Sequence, residues 1–234
     1  MGEGATLLLV HGAWCGGWAW EPVLGPLREC GVRVEVIEQL PSAGLGPGDL
    51  GDLQADVEHV RARLSEITRP VVLCGHSYGG MVITELADHP AICHSVYVAA
   101  FWPSLGQSLN DLRLAGPPPV SNWIVVREDG SLAVTDDVEQ ARDALFGDLD
   151  ADRAARLHAQ LVLQSVASFL APSSTPARSH PTTYVLCTED HAILLALQEA
   201  MSAPADATVR LQSAHFPQFS QPAALADVLA KVAA

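Results

Sequence analysis

The sequence predicts a three-layer α/β/α fold with a mostly parallel central sheet and a small helical cap. Short apolar runs of strand length alternate with segments of helical periodicity up to about residue 102 and again from residue 182. Most of these runs are apolar at successive positions, as in parallel strands covered on both faces. The alternation breaks over residues 103–181, where no central-sheet strand is evident. The expected organisation is a core of residues 1–102 and 182–234, with residues 103–181 inserted as a cap or lid.

Residues 5–10 form a nearly continuous apolar run. Residues 32–38 alternate Val32, Val34 and Val36 with Arg33 and Glu35, the pattern of a partly covered strand. Residues 70–74 are short and apolar and are bounded by Gly75; residues 92–101, 182–187 and 208–211 complete the set. Helices are expected between them. Residues 50–67 place Leu53, Val57, Val60 and Leu64 three and four apart, which makes one apolar face. Residues 78–88, 191–201 and 221–232 supply the others. Strand, crossover helix and parallel strand in repetition is the pattern of a layered α/β domain. The inserted stretch holds Pro117-Pro118-Pro119, a short strand near 123–126, and helical patches at 138–146 and 151–165. An insertion at this point covers the carboxyl ends of the strands, where open α/β sheets bind ligands.

Of the 234 residues, 49% are apolar and 17% charged, a globular composition. The net charge is 13 − 27 = −14. That sign disfavours nucleic acid and anionic membrane surfaces as partners. Cys15, Cys30, Cys74, Cys93 and Cys187 are scattered, with no C-x-x-C pair. They read as buried free thiols in a reducing compartment, and not as metal ligands or disulfides. The N-terminus has no basic start, and its apolar run is too short for a signal core or a membrane span. Met1-Gly2 with Thr6 matches a loose lipidation pattern, but Thr6 falls in a core strand and no polybasic stretch follows. The expected location is cytoplasmic. A homodimer is compatible with the sequence, which does not set the oligomeric state.

Gly75-His76-Ser77-Tyr78-Gly79 follows a strand and opens a helix, the context of a nucleophile elbow. The sharp turn crowds the residues two before and two after the serine, so both must be small. It also lifts the hydroxyl to a helix N-terminus, where developing negative charge is favoured. A serine nucleophile needs a base and an orienting acid, in the chain order Ser, Asp or Glu, His for this architecture. Of nine histidines, His215 alone is late in the chain and directly follows a final strand. Asp190, in Cys187-Thr188-Glu189-Asp190-His191, follows the preceding strand and is the expected acid. Glu189 is its rival, and the pair also reads as a helix cap. The alternative acid position one strand earlier, in Val98-Ala99-Ala100-Phe101, holds no carboxylate. An oxyanion needs two N–H donors. Tyr78, after the nucleophile, is one; Ala13, in His11-Gly12-Ala13-Trp14, is the other. No dinucleotide or Walker pattern is present. Gly12, Trp14, Trp102, Trp123 and Phe146 are the expected substrate-binding residues, with core packing as the alternative for the aromatic ones.

His11-Gly12-Ala13-Trp14, Gly75-His76-Ser77-Tyr78-Gly79-Gly80-Met81, Val98-Ala99-Ala100-Phe101 and Cys187-Thr188-Glu189-Asp190 resemble the α/β-hydrolase group of plant methyl esterases and hydroxynitrile lyases, with its bacterial relatives. The resemblance covers most of the chain and is weakest in the cap. It implies an α/β-hydrolase fold, no metal, no cofactor, a Ser77, Asp190, His215 triad, and N–H donors at Ala13 and Tyr78. Lyase members carry a threonine where this chain has Gly12 and a lysine where it has Phe216. Both departures point to ester hydrolysis. The expected reaction is cleavage of a small or medium apolar carboxylic ester through an acyl-enzyme. Lactone, thioester or carbon–carbon cleavage by the same triad, and non-catalytic ligand binding, remain the alternatives.

Overall fold

The computed structural model describes residues 4–116 and 122–234. Met1, Gly2 and the Pro117-Pro118-Pro119 run lie outside the described residues.

The chain opens with β1 (Thr6–Val10), α1 (Glu21–Glu29), β2 (Arg33–Val36), the two-residue β3 (Ala43–Gly44), α2 (Leu53–Glu66), β4 (Val71–His76), α3 (Gly79–Glu85) and β5 (Ile92–Val98). The stretch that follows holds α4 (Leu109–Ala115), β6 (Ile124–Val126), β7 (Ser131–Val134), α5 (Val138–Leu145), α6 (Ala151–His158), β8 (Leu163–Ser165) and α7 (Val166–Leu170). The chain then returns through β9 (Thr182–Cys187), α8 (Leu195–Met201), β10 (Ala207–Leu211), α9 (Pro217–Ser220) and α10 (Pro222–Ala233).

The central sheet has the order β10-β9-β5-β4-β1-β2, and every pairing is parallel. Its two faces explain the apolar runs. In β1, Leu7 and Leu9 pack with Val23 and Leu27 of α1 and with Leu225 and Leu229 of α10. Leu8 and Val10 pack on the opposite side with Val57 and Val60 of α2 and Met81 of α3. Alternate side chains of a strand point to opposite faces, so a strand covered by helices on both sides must be apolar throughout. Each fully buried leucine contributes about 1.5–3 kcal/mol of transfer free energy.

β1 pairs with β2 on one side and β4 on the other, so the chain reverses its direction of travel across the sheet there. The loops after β1 and β4 flank the crevice at this switch, the place where such sheets bind ligands.

The stretch between β5 and β9 combines helices with β6, β7 and β8, which join the distant β3 in a small antiparallel sheet of order β3-β8-β7-β6. Residues 151–165, expected to be one helix, divide into α6 and β8. α6 is capped by Asp150, whose carboxylate accepts from Arg153 N–H at 2.8 Å, and it ends at His158. β8 forms because β3 and β7 pair with it from either side. Those are distant partners that local periodicity does not reveal. Helix α8 starts at Leu195, later than the expected residue 191, because Asp190 Oδ1 accepts from both Ala192 and Ile193 N–H and holds a turn there. Cys15, Cys74 and Cys187 are buried, but Cys30 and Cys93 are exposed. Cys30 sits just past the end of α1, and Cys93 lies on the uncovered start of β5.

Among the described residues, no helix is long and apolar enough to cross a membrane.

Candidate active site

Ser77 lies between β4 and α3 with φ of 52°, a left-handed value that costs a non-glycine residue about 1–2 kcal/mol. The surroundings enforce it. Its N–H donates to Val98 C=O at 3.2 Å, and its C=O accepts from Gly80 and Phe101 N–H at 3.0 and 3.1 Å. A Cβ on Gly75 would stand 2.5 Å from the Gly79 carbonyl oxygen, and one on Gly79 would stand 2.8 Å from the carbonyl oxygens of both Val10 and His11. The two glycines around the serine are therefore steric requirements of backbone packed on backbone.

His215 follows β10 in the loop before α9. Its Nδ1–H donates to Asp190 Oδ2 at 2.8 Å, with both residues 3% exposed. That bond assigns the ring proton to Nδ1 and leaves Nε2 as an acceptor. Asp190 is held from several directions. Besides the two turn N–H groups on Oδ1, Gln198 Nε2 donates to Oδ2 at 3.1 Å. The Gln198 amide is locked in turn by Cys187 N–H, Cys187 C=O and Ile193 C=O. Capping a turn and meeting the imidazole are thus done by different oxygens of one carboxylate. Glu189, the neighbouring rival, is exposed and accepts from Gln212. His76 Nε2 donates to the His215 C=O at 2.8 Å, and burial holds the His76 ring neutral, with a pKa well below the usual histidine value.

Ser77, His215, Ala13, Trp14 and Tyr78 line one cavity of about 20 Å³, which Trp123 and Phe169 border from the stretch between β5 and β9. Gly12, Ser77 and His215 also border a second, smaller recess beside Leu145 and Phe216. A Cβ on Gly12 would stand 2.9 Å from Ser77 Cβ, so the β1 loop approaches the elbow as closely as its lack of a side chain allows.

Trp102 and Phe146 do not border either space, contrary to the expectation. Trp102 stacks on Tyr97 with centroids 4.3 Å apart, and the Arg178 guanidinium covers its ring at 4.6 Å. Phe146 is fully buried against Phe216, with centroids 5.0 Å apart. Phe169, Ile193, Leu109 and Arg113, which sequence reasoning missed, do border the cavity. Leu109 and Phe169 come from helices too short for a clear periodic signal.

Beneath the cavity lies a polar cluster with no sequence signature. Asp56 of α2 is fully buried and accepts from Ser42 N–H at 2.8 Å, Ser42 Oγ at 2.5 Å and Tyr78 OH at 2.6 Å. Burial raises its pKa to about 6, against the lowering effect of those hydrogen bonds. His11 is buried as well. Its Nε2 accepts from Leu40 N–H at 3.1 Å, and burial lowers its pKa to about 4. Among the described residues no group of three or more His, Cys, Asp and Glu is placed to hold a metal ion.

A carbendazim hydrolyzing esterase from Nocardioides sp. (strain SG-4G) is 40% identical over 125 residues, a match covering 49% of this chain and half the length of that relative. Methylesterase 8 of Arabidopsis thaliana is 24% identical over 241 residues, which cover 97% of this chain and 88% of that one. The crystal structure of a pyrethroid hydrolase from Sphingobium faniae JZ-2 superposes with a TM-score of 0.82 at 25% identity, covering 98% of this chain and 97% of that one. The model of the alpha/beta hydrolase family matches residues 7–228. The parallel sheet, the strained turn after β4 and this match over nearly the whole chain agree: the protein belongs to the alpha/beta hydrolase family.

Proposed function

We propose that the protein is a carboxylic ester hydrolase that forms an acyl-enzyme on Ser77. The observation that carries this reading is that the strained Ser77 and His215 line one cavity, with His215 bonded behind it to the buried Asp190. His215 Nε2 takes the hydroxyl proton as Ser77 Oγ attacks the ester carbonyl. The N–H groups of Ala13 and Tyr78 receive the oxyanion. His215 then gives its proton to the departing alcohol, and water repeats the sequence to release the acid. Asp190 keeps the proton on Nδ1 and stabilises the imidazolium that forms.

Residues 103–181 act in this reading as a cap over the strand ends. Their apolar contribution, with Trp123 and Phe169 at the cavity, favours a small or medium apolar ester.

A fluorophosphonate probe and a panel of esters graded in acyl and alcohol size test the reading. The probe is expected to label Ser77, and Ser77→Ala to lower turnover by about three orders of magnitude or more. A correctly folded Ser77→Ala protein with native turnover overturns it.

A further inference from the structure

Trp14 follows Ala13, the proposed first oxyanion donor, and has φ of 61°, an unfavourable value for a bulky side chain. All three of its polar groups are bonded to residues 103–181. Its N–H donates to Gln164 Oε1 at 3.3 Å, its C=O accepts from Val162 N–H at 2.8 Å, and its indole Nε1 donates to Leu132 C=O at 3.1 Å. The second donor, Tyr78, is reached from the same glutamine. Gln164 Nε2 donates to Ser42 Oγ at 2.7 Å, Ser42 Oγ donates to Asp56 Oδ2, and Tyr78 OH donates to that same oxygen. The other Nε2 hydrogen goes to Ser168 Oγ at 2.7 Å. Gln164 is fully buried, and its backbone is fixed between β3 and β7. A fully satisfied buried network of this kind imposes one geometry on its members, since any displacement strands a polar group away from water.

We infer that Gln164 is a positioning residue for both arms of the oxyanion hole, its amide oxygen holding the Ala13-Trp14 arm and its amide nitrogen, through Ser42 and Asp56, the Tyr78 arm. The inference rests on the ester-hydrolase reading and adds a coupling to it. A strand of the cap, β8, thereby sets the donors, so the hole is complete only when the cap is seated. Misplacing such donors by about 1 Å costs up to about 100-fold in rate without weakening ground-state binding.

The test compares the native protein with Gln164→Met and Gln164→Glu. Active sites are counted by complete fluorophosphonate labelling of Ser77. kcat and KM are measured on one short aryl ester, and affinity is measured for a matching trifluoromethyl ketone, which mimics the oxyanion. Gln164→Met is expected to lower kcat per labelled site about 10- to 100-fold, with KM within about threefold. Gln164→Glu retains an acceptor for Trp14 N–H and loses the donation to Ser42, so its loss is smaller. Ketone affinity should fall by the same factor as kcat/KM. Native kcat per labelled site in either variant overturns the inference, as does a loss of kcat with unchanged ketone affinity. A loss confined to the yield of labelled protein also overturns it and makes Gln164 a folding residue. Should neither variant fold, Ser42→Ala, which cuts the Tyr78 branch alone, decides by the same readings. A native protein that is not labelled at Ser77 fails the ester-hydrolase reading itself. A labelled, active native protein with insensitive variants fails only the positioning role.

Discussion

Two sides of the cavity, the one built by the loops of the central sheet and the one built by residues 103–181, proposed above as a cap, are held by different forces. On the core side, Ser77 and His215 follow the carboxyl ends of β4 and β10, and close backbone packing around Gly75 and Gly79 leaves the elbow one conformation. On the cap side, Trp123 and Phe169 are set by contacts between aromatic rings, with Trp14 meeting Trp123 at 5.2 Å and Phe169 at 5.5 Å between centroids. Backbone sterics tolerate almost no displacement, whereas aromatic contacts can slide and reform. In the proposed reading the core side therefore determines whether an ester is cleaved, and the aromatic rings of the cap side, unlike the buried Gln164 behind them, determine which one. Substitutions on the two sides should differ in kind.

The largest effect is expected from Asp190→Asn. The variant keeps an acceptor for the Ala192 and Ile193 N–H groups but presents a donor to His215 Nδ1, which favours the wrong tautomer. Steady-state kinetics should show a loss of about 10³–10⁴-fold for every ester in a panel. A loss under about tenfold would locate the acid elsewhere.

Asp56 gives a smaller effect, on stability. Its pKa is about 6 in the folded protein, against an ordinary 3.8 when unfolded. Between those values the folded state holds the extra proton, so this group makes stability fall as pH rises from about 4 to about 6. His11, lowered to about 4, acts in the opposite direction: its contribution is lost as pH falls below 6.5. His11 is common to both proteins, so the difference between native and Asp56→Asn isolates the carboxylate. In urea unfolding that difference should change by on the order of 2 kcal/mol across pH 4 to 6. A pH-independent difference would show that Asp56 keeps an ordinary pKa.

The smallest effect belongs to the cap side. Trp123→Ala should leave kcat on an acetyl ester within about twofold and shift the kcat/KM ratio of longer to shorter acyl esters about tenfold towards the longer. A uniform loss across all chain lengths would move Trp123 to the core side of the comparison.

The same division governs what the sequence makes legible. The expected strand over 182–187 and the elbow at Ser77 follow from local patterns, a short apolar run and two obligatory glycines. Asp190 and His215 were reachable because each directly follows a strand. Gln164, Asp56 and Gln198 were not, since a polar residue within a helix or strand ordinarily faces water. Their burial depends on partners far along the chain, Gln164 to Ser42 spanning 122 positions. Trp102 and Phe146 show the converse. Their size identified them as buried, but not which neighbour would bury them, and Tyr97 and Phe216 took that place. Strand β8 was hidden in the same way, because its three residues acquire their conformation from β3 and β7.

The covalent step at Ser77 is most directly tested by rapid-quench peptide mass spectrometry during the first turnover of an activated aryl ester. The peptide bearing Ser77 should gain the mass of the acyl group in step with release of the phenol and lose it as the acid forms. Phenol release at full rate with no acylated Ser77 peptide at any time point would contradict the account.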